Sequence, residues 1–371
     1  MSSRSGIFRK RGKRPDYLIV ICIAVLVLFG LAMLASASSN LGKTKFGDSY
    51  YYLKHQMIYG FSVGLVGFFI GAKIFYRRYR PFALFFLLGT IVLLLLVFTP
   101  LGVETNGATR WLAIGPLTFQ PSELLKITFV MYLAAWLSRS SERDRSFWRG
   151  FVPFAIVIIG TSLLLLKQPT TSTVVLLMGT VLVVYFISGA KLRYIFGFAG
   201  TAAALLIAVT IVTPYRFERV RNFFEPQVDV QAGGFHLNQA KIAIGSGGLS
   251  GVGFGQSTTK LNYLPEPVGD SIFAIIAEEF GFIGGTALVA VFATLVLRFF
   301  ILARRSRDKF GQLLLIGFGS VVALQTFLHI GAISGLIPLT GTPLPFISYG
   351  STALAVFMTM GGIAVNVSKY A

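Results

Sequence analysis

Apolar runs long enough to cross a bilayer recur along the chain from Tyr17 almost to the last residue, separated by short polar segments. A span needs about 20 such residues. The pattern predicts about ten transmembrane helices on that measure, near 17–37, 57–75, 82–100, 120–138, 151–167, 172–188, 193–213, 271–303, 311–335 and 349–367. The expectation is an all-α polytopic membrane protein with one membrane domain over 1–371. The first run follows basic residues, as in a signal peptide, but exceeds a typical signal core and reads as an uncleaved first helix. The run at 271–303 is long for one span and implies tilt or projection into the cytoplasm toward Arg298.

Charge orients these helices. The basic clusters at Arg9–Arg14, Arg77–Arg80, Arg143–Arg149 and Arg304–Arg307 fall between apolar runs, as the cytoplasmic loops of membrane proteins do. Both termini are then cytoplasmic, including the basic segment 1–16. A large extracytoplasmic loop, 214–270, joins helices 7 and 8. The 371 residues are 54% hydrophobic and 13% charged, with a mean hydropathy of +0.74. The net charge of +19 sits in short interhelical clusters, which favours membrane lipids and argues against nucleic acid. The lone Cys22 lies in the first apolar run, so no disulfide forms within the chain.

The extracytoplasmic segments carry the chemistry. The 101–119 loop holds Asn106, Arg110 and Trp111. A Trp at a span end is more commonly an interfacial belt residue, and a substrate contact beside a phosphate-pairing Arg110 is the sharper reading. Glu123 and Lys126 share a helix face, which suits a buried structural ion pair better than catalysis. The 214–270 loop carries Arg216, Arg219 and Arg221, then Lys241, then a glycine-rich segment, Gly245–Gly255, followed by Lys260. Glycines suit a phosphate nest or a tight re-entrant turn, and the segment has no Walker context. Asp270 stands where this loop becomes an apolar helix. Helix capping is a strong account of an Asp there. A carboxylate at a low-dielectric boundary is also the form that a tuned general base takes. Glu266 lies four residues earlier, between Pro265 and Pro267. Glu278 and Glu279 lie deeper and read as buried partners. The last outside loop, Leu336–Ser351, has three prolines, which at membrane depth marks a shaped site.

Arg110-Trp111-Leu112, Gln120-Pro121-Ser122-Glu123, Ser246-Gly247-Gly248, Leu264-Pro265-Glu266, Asp270-Ser271-Ile272-Phe273-Ala274, Glu278-Glu279 and Pro345-Phe346-Ile347-Ser348-Tyr349-Gly350 together resemble the SEDS family of bacterial cell-wall proteins, FtsW and RodA. Phe46-Gly47-Asp48-Ser49 and the tyrosines after it are slightly more similar to FtsW. The resemblance covers nearly the whole chain. It departs at Thr170–Thr173, where the family usually has an aspartate and a glycine. It departs again at His329, commonly asparagine, and at Gly350-Ser351, usually two glycines.

The resemblance implies a ten-helix glycosyltransferase in the bacterial cytoplasmic membrane. Such an enzyme polymerises lipid II into glycan strands at the outer face, beside a class B penicillin-binding protein that crosslinks them. The family's essential aspartate falls on Asp270 and its loop tryptophan on Trp111. Asp270 is then expected to deprotonate the acceptor hydroxyl that attacks the donor's anomeric carbon. Arg110, Arg216, Lys241 and Lys260 are candidate donors to the leaving pyrophosphate, with Glu266 and Trp111 also at the substrate. A divalent cation, Mg or Mn, is possible; the residues name no metal ligands. Glu123, Lys126, Glu278, Glu279 and Ser348 are expected to support the site. A lipid II flippase and a non-catalytic scaffold for the transpeptidase are the rival readings.

Overall fold

The computed structural model describes residues 14–105, 108–115, 117–138, 152–189, 192–224, 233–261 and 264–371. Asn106 and the basic clusters at 9–13 and 143–149 lie outside them. The described helices are α1 (Tyr17–Phe46), α2 (Tyr51–His55), α3 (Ser62–Lys73), α4 (Tyr79–Leu96), α5 (Pro121–Leu137), α6 (Val152–Lys167), α7 (Thr171–Ile187), α8 (Leu192–Val212), α9 (Pro214–Phe224), α10 (Gly233–Ser246), α11 (Ile272–Arg305), α12 (Lys309–Ile333) and α13 (Ser351–Ser368). A π-helical turn at Gln56–Phe61 joins α2 to α3.

A helix occupies each of the ten apolar segments. Among the described residues, six helices are long and apolar enough to cross a membrane, or seven if α8 and α9 form one bent span. α6 and α7 are shorter apolar helices. The chain is a mostly helical, multi-pass membrane protein.

Local chemistry sets the helix ends. Asp16 accepts from the Ile19 N–H to start α1 and also takes two hydrogen bonds from Arg298 on α11, at 2.8 and 2.6 Å. The far end of the long α11 is thus tied to the start of α1. Asp308 caps α12 through the Gly311 N–H. Pro121 occupies the first turn of α5, where its missing N–H costs nothing. α12 and α13 are buried over most of their length, whereas α3 and α4 present Val66, Phe69, Phe85 and Val92 outward. Such apolar faces belong in lipid.

The all-α expectation needs one correction. Residues 102–119 form a three-stranded antiparallel sheet, β1 (Gly102–Thr105), β2 (Ala108–Ile114) and β3 (Leu117–Phe119), in the order β1-β2-β3. Thr105 pairs with Ala108 at the end of the β1–β2 ladder. The strands are only three to seven residues long, so a search for span-length hydrophobic runs passes over them.

α11 is broken near its start. Gly281 leaves helical geometry at φ 66°, ψ −165°. The groups freed there are not left bare. The Val252 and Gly253 N–H groups donate to the Glu278 and Glu279 carbonyls, and the Phe282 and Ile283 N–H groups donate to the Gly248 and Leu249 carbonyls. The glycine-rich segment therefore lies along the break as an added strand of backbone. A Cβ on Gly247, Gly251 or Gly281 would overlap that opposing backbone. This is the re-entrant use of the glycines rather than a phosphate nest.

Candidate functional site

The Pro265–Asp270 turn leads into α11. Glu266 has φ 45°, and its carbonyl accepts the N–H groups of Gly269 and Ser271, both at 3.2 Å. The Leu336–Ser351 loop is stitched onto this turn. Ser348 Oγ donates to the Gly269 carbonyl (2.8 Å) and accepts from the Leu344 N–H (2.7 Å), while the Tyr349 N–H donates to the Val268 carbonyl. Ser348 thus supports the turn. Ser172 Oγ donates to the Thr340 carbonyl at 2.6 Å, so the Thr170–Thr173 segment also braces the last loop.

Asp270 precedes the residue that caps α11, Ser271, and no hydrogen bond reaches its carboxylate among the described residues. Capping is therefore not its role. It lines a cavity of about 40 Å³ together with Arg219, His236, His329 and residues 339–342. Burial, and secondly the charge of Glu266, push Asp270 up from 3.8 to about 6, against the opposing pull of Arg219 and Arg110. Gly341, at φ +64°, separates acid from base. A Cβ there would lie 3.3 Å from Asp270 Oδ2 and 3.8 Å from Arg219 Nη1. A side chain there would press on the Asp270 carboxylate while only touching Arg219, and the positive φ favours glycine.

His236 fixes the next residue. Ser271 Oγ donates to the Pro265 carbonyl (2.6 Å), so it accepts from His236 Nε2 (2.7 Å). Burial and Arg219 push His236 down to about 4, and its imidazole is neutral at pH 7.

The predicted residues divide. Asp270 lines the cavity, exposed Glu266 acts on it through its charge, and so does Arg110, which donates to the Gln168 and Pro169 carbonyls. Arg216 donates to the Leu166 carbonyl and to Thr171 and Thr213 hydroxyls, which secures the α6–α7 turn. Trp111 is half-buried in β2 opposite Val103. Lys241 is exposed on α10 beside Gly335. Lys260 is not a substrate-facing cation. It is buried, with Nζ donating to Glu279 (2.8 Å), Ser36 (2.9 Å) and the Gly255 carbonyl (2.7 Å). Glu279 draws it inward because an unpaired carboxylate at that depth is costly. Glu278 is saturated by the Ser257 and Thr259 hydroxyls and the Thr258 and Thr259 N–H groups. Glu123 and Lys126 form a buried 2.6 Å pair, with Gln325 as a further acceptor.

Residues 16–371 match the FtsW/RodA/SpoVE family of cell cycle proteins. The chain belongs to this family. Stage V sporulation protein E of Bacillus subtilis (strain 168) is 35% identical over 357 residues, which cover 96% of this chain and 97% of that protein. The probable peptidoglycan glycosyltransferase FtsW of Geobacter metallireducens is 36% identical over 360 residues, covering 97% and 96%. Among solved structures, a chain of a peptidoglycan synthase complex superposes with a TM-score of 0.78 at 27% identity, covering 95% of this chain and 97% of that one. The crystal structure of the rod shape determining protein RodA of Thermus thermophilus gives 0.70 at 27% identity, covering 95% and 96%. The sequence resemblance thus holds in family and in fold. Arg219, His236, His329 and Gly341 are the site residues that sequence reasoning left out. Arg219 was visible as one of three loop arginines and His329 as a departure from the family pattern.

Proposed function

We propose that this protein polymerises lipid II into glycan strands at the outer face of the bacterial cytoplasmic membrane, with Asp270 as the general base. Glycosyltransferase activity in peptidoglycan synthesis follows from the family and from what its relatives do. The observation that carries the base assignment is the Asp270 carboxylate itself. It faces a cavity, takes no hydrogen bond among the described residues and titrates near 6. Such a group is ionised at neutral pH yet basic enough to take a proton in the transition state.

In this reading the undecaprenyl tails of two substrates lie in the bilayer and position their sugars. The acceptor's GlcNAc 4-OH gives its proton to Asp270 as its oxygen attacks the donor's anomeric carbon. The bond to undecaprenyl pyrophosphate breaks with inversion. Arg219 and Arg110, both acting on Asp270, supply positive charge where the leaving group becomes more negative. On this reading the chain has about ten spans, cytoplasmic termini and an extracytoplasmic 214–270 loop, so that the cavity faces the side where lipid-linked sugars are polymerised. A class B penicillin-binding protein is the proposed partner, in line with the synthase complex that the fold matches.

Among the described residues, no three His, Cys, Asp or Glu cluster as metal ligands. The Asp270–Glu266 pair suits the mode in which Mg or Mn is shared with phosphate oxygens of a substrate. The test is polymerisation of labelled lipid II by the purified protein with its transpeptidase. Asp270→Asn is expected to lose roughly 10²–10⁴-fold in rate, the usual worth of a general base. Wild-type rates from that variant refute the assignment. Movement of lipid II between leaflets without chain growth points instead to a flippase.

A further inference from the structure

His329 lies on α12, buried to 2% exposure, and its ring forms part of the wall of the Asp270 cavity. Its Nδ1 lies 2.7 Å from the Thr342 carbonyl oxygen. A carbonyl can only accept, so Nδ1 carries the hydrogen and Nε2 of the neutral ring is a bare acceptor. That Nε2 is fully buried and has no partner among the described residues. Buried polar atoms are seldom left this way, and each exception asks for an explanation. Thr342 is itself held, its hydroxyl 2.9 Å from that of Thr340, whose carbonyl takes the Ser172 hydroxyl. The ring is therefore held in place through a braced loop. The cavity that His329 helps to line, about 40 Å³, has room for water or for hydroxyl groups.

We propose that His329 Nε2 accepts a hydrogen bond from a hydroxyl of the acceptor saccharide adjacent to the one that Asp270 deprotonates. The sugar edge then enters the cavity with two neighbouring hydroxyls. One donates to the Asp270 carboxylate and reacts, and the other donates to His329 and sets the angle of attack. His329 keeps its own proton on Nδ1 and takes none from the substrate. It is a positioning residue that touches substrate, and the inference rests on Asp270 being at the reaction centre.

The informative change is replacement of His329 by 3-(pyrrol-2-yl)alanine through an expanded genetic code. It keeps a five-membered ring with the N–H that donates to Thr342 and puts a C–H where Nε2 stands, so only that acceptor is lost. With labelled lipid II, the transpeptidase partner present and an unchanged melting midpoint, kcat/KM is expected to fall roughly tenfold, the worth of one lost hydrogen bond at the upper end of its range. His329→Leu should fall at least as far. His329→Asn should recover most of the rate, because one amide can both donate to Thr342 and accept from a ligand. An unchanged rate for the pyrrole variant overturns the proposal and leaves Nε2 with at most a dispensable water. Loss of rate only in proportion to loss of folded protein also overturns it. Asp270→Asn run in parallel separates the two readings. If that variant is active, the site assignment has failed. If it is inactive while the pyrrole variant works normally, only the role of His329 has failed.

Discussion

Three carboxylates within ten residues of sequence meet opposite fates. Glu278 and Glu279 lie just before the break in α11 and are held by donors: two hydroxyls and two N–H groups for Glu278, an ammonium and the Ser36 hydroxyl on Oε1 of Glu279, whose Oε2 is sealed away from solvent. Asp270, on the turn before the same helix, has cations within electrostatic reach and no hydrogen bond among the described residues. The deeper pair is built to keep its charge quiet and to hold the glycine segment along the break. The shallower one is left under-stabilised where a substrate can reach it. Unspent hydrogen-bonding capacity at a cavity, rather than acidity or burial, separates a working carboxylate from a structural one.

The sharpest way to break this contrast is to neutralise each side. Beyond its loss of polymerisation, Asp270→Asn should make the protein more stable at neutral pH. The sign follows from the shift. A folded pKa raised from 3.8 to about 6 stabilises the fold below about 3.8 and loses that contribution as pH rises through about 6. At pH 7.5 the wild type therefore carries a penalty that Asn removes, on the order of 3 kcal/mol for a rise from 3.8 to about 6 at about 1.4 kcal/mol per unit. Lys260→Met should do the reverse. It leaves Glu279 buried without its cation, which costs about 3–5 kcal/mol. Thermal unfolding in detergent at pH 7.5 reads both. Equal and opposite slopes are not required, but two changes of the same sign would end the distinction between the regions.

A smaller effect lies in the pH profile. The base must be ionised, so polymerisation should fall as pH drops through about 6 in the wild type. Removing the Glu266 charge takes away one cause of the raised value, so Glu266→Gln should move the midpoint down. A midpoint unmoved by Glu266→Gln would mean that burial alone sets it. The lipid II assay between pH 5 and 8 distinguishes the two.

The helices were legible because span-length apolar runs are a local property, and all ten segments proved helical. The sheet was signalled in the sequence by Asn106-Gly107, but its strands are too short to register against membrane-scale hydropathy. Asp270 and Ser348 could be picked out because each sits in a punctuated stretch rich in proline. Lys260 could not be placed. Whether a loop lysine meets a phosphate or a buried glutamate 19 positions on depends on how the chain between them folds back, and the sequence does not state that. His329 and Arg219 enter the cavity from segments 110 residues apart. No periodicity links them, and only the folding of α12 against α9's neighbours reveals that they share a wall.

The smallest expected effect probes the gap between Asp270 and Arg219. Gly341 sits at φ +64° with its missing Cβ directed at both groups. Alanine in that conformation costs roughly 1 kcal/mol of backbone energy, while its methyl would stand 3.3 Å from Asp270 Oδ2 and 3.8 Å from Arg219 Nη1. The first contact is tight and the second ordinary, so the carboxylate has to shift by a few tenths of an ångström while the guanidinium stays. Gly341→Ala should therefore lower the melting midpoint slightly but slow polymerisation several-fold, because misplacement at a reacting centre costs rate steeply. The same substitution at Gly251, where a Cβ would overlap the Glu279 carbonyl at φ +82°, should lose stability first and activity only with it. Matching stability and rate losses at both glycines would mean that the two regions are one rigid unit. A rate loss at Gly341 that outruns its stability loss separates the site from its scaffold.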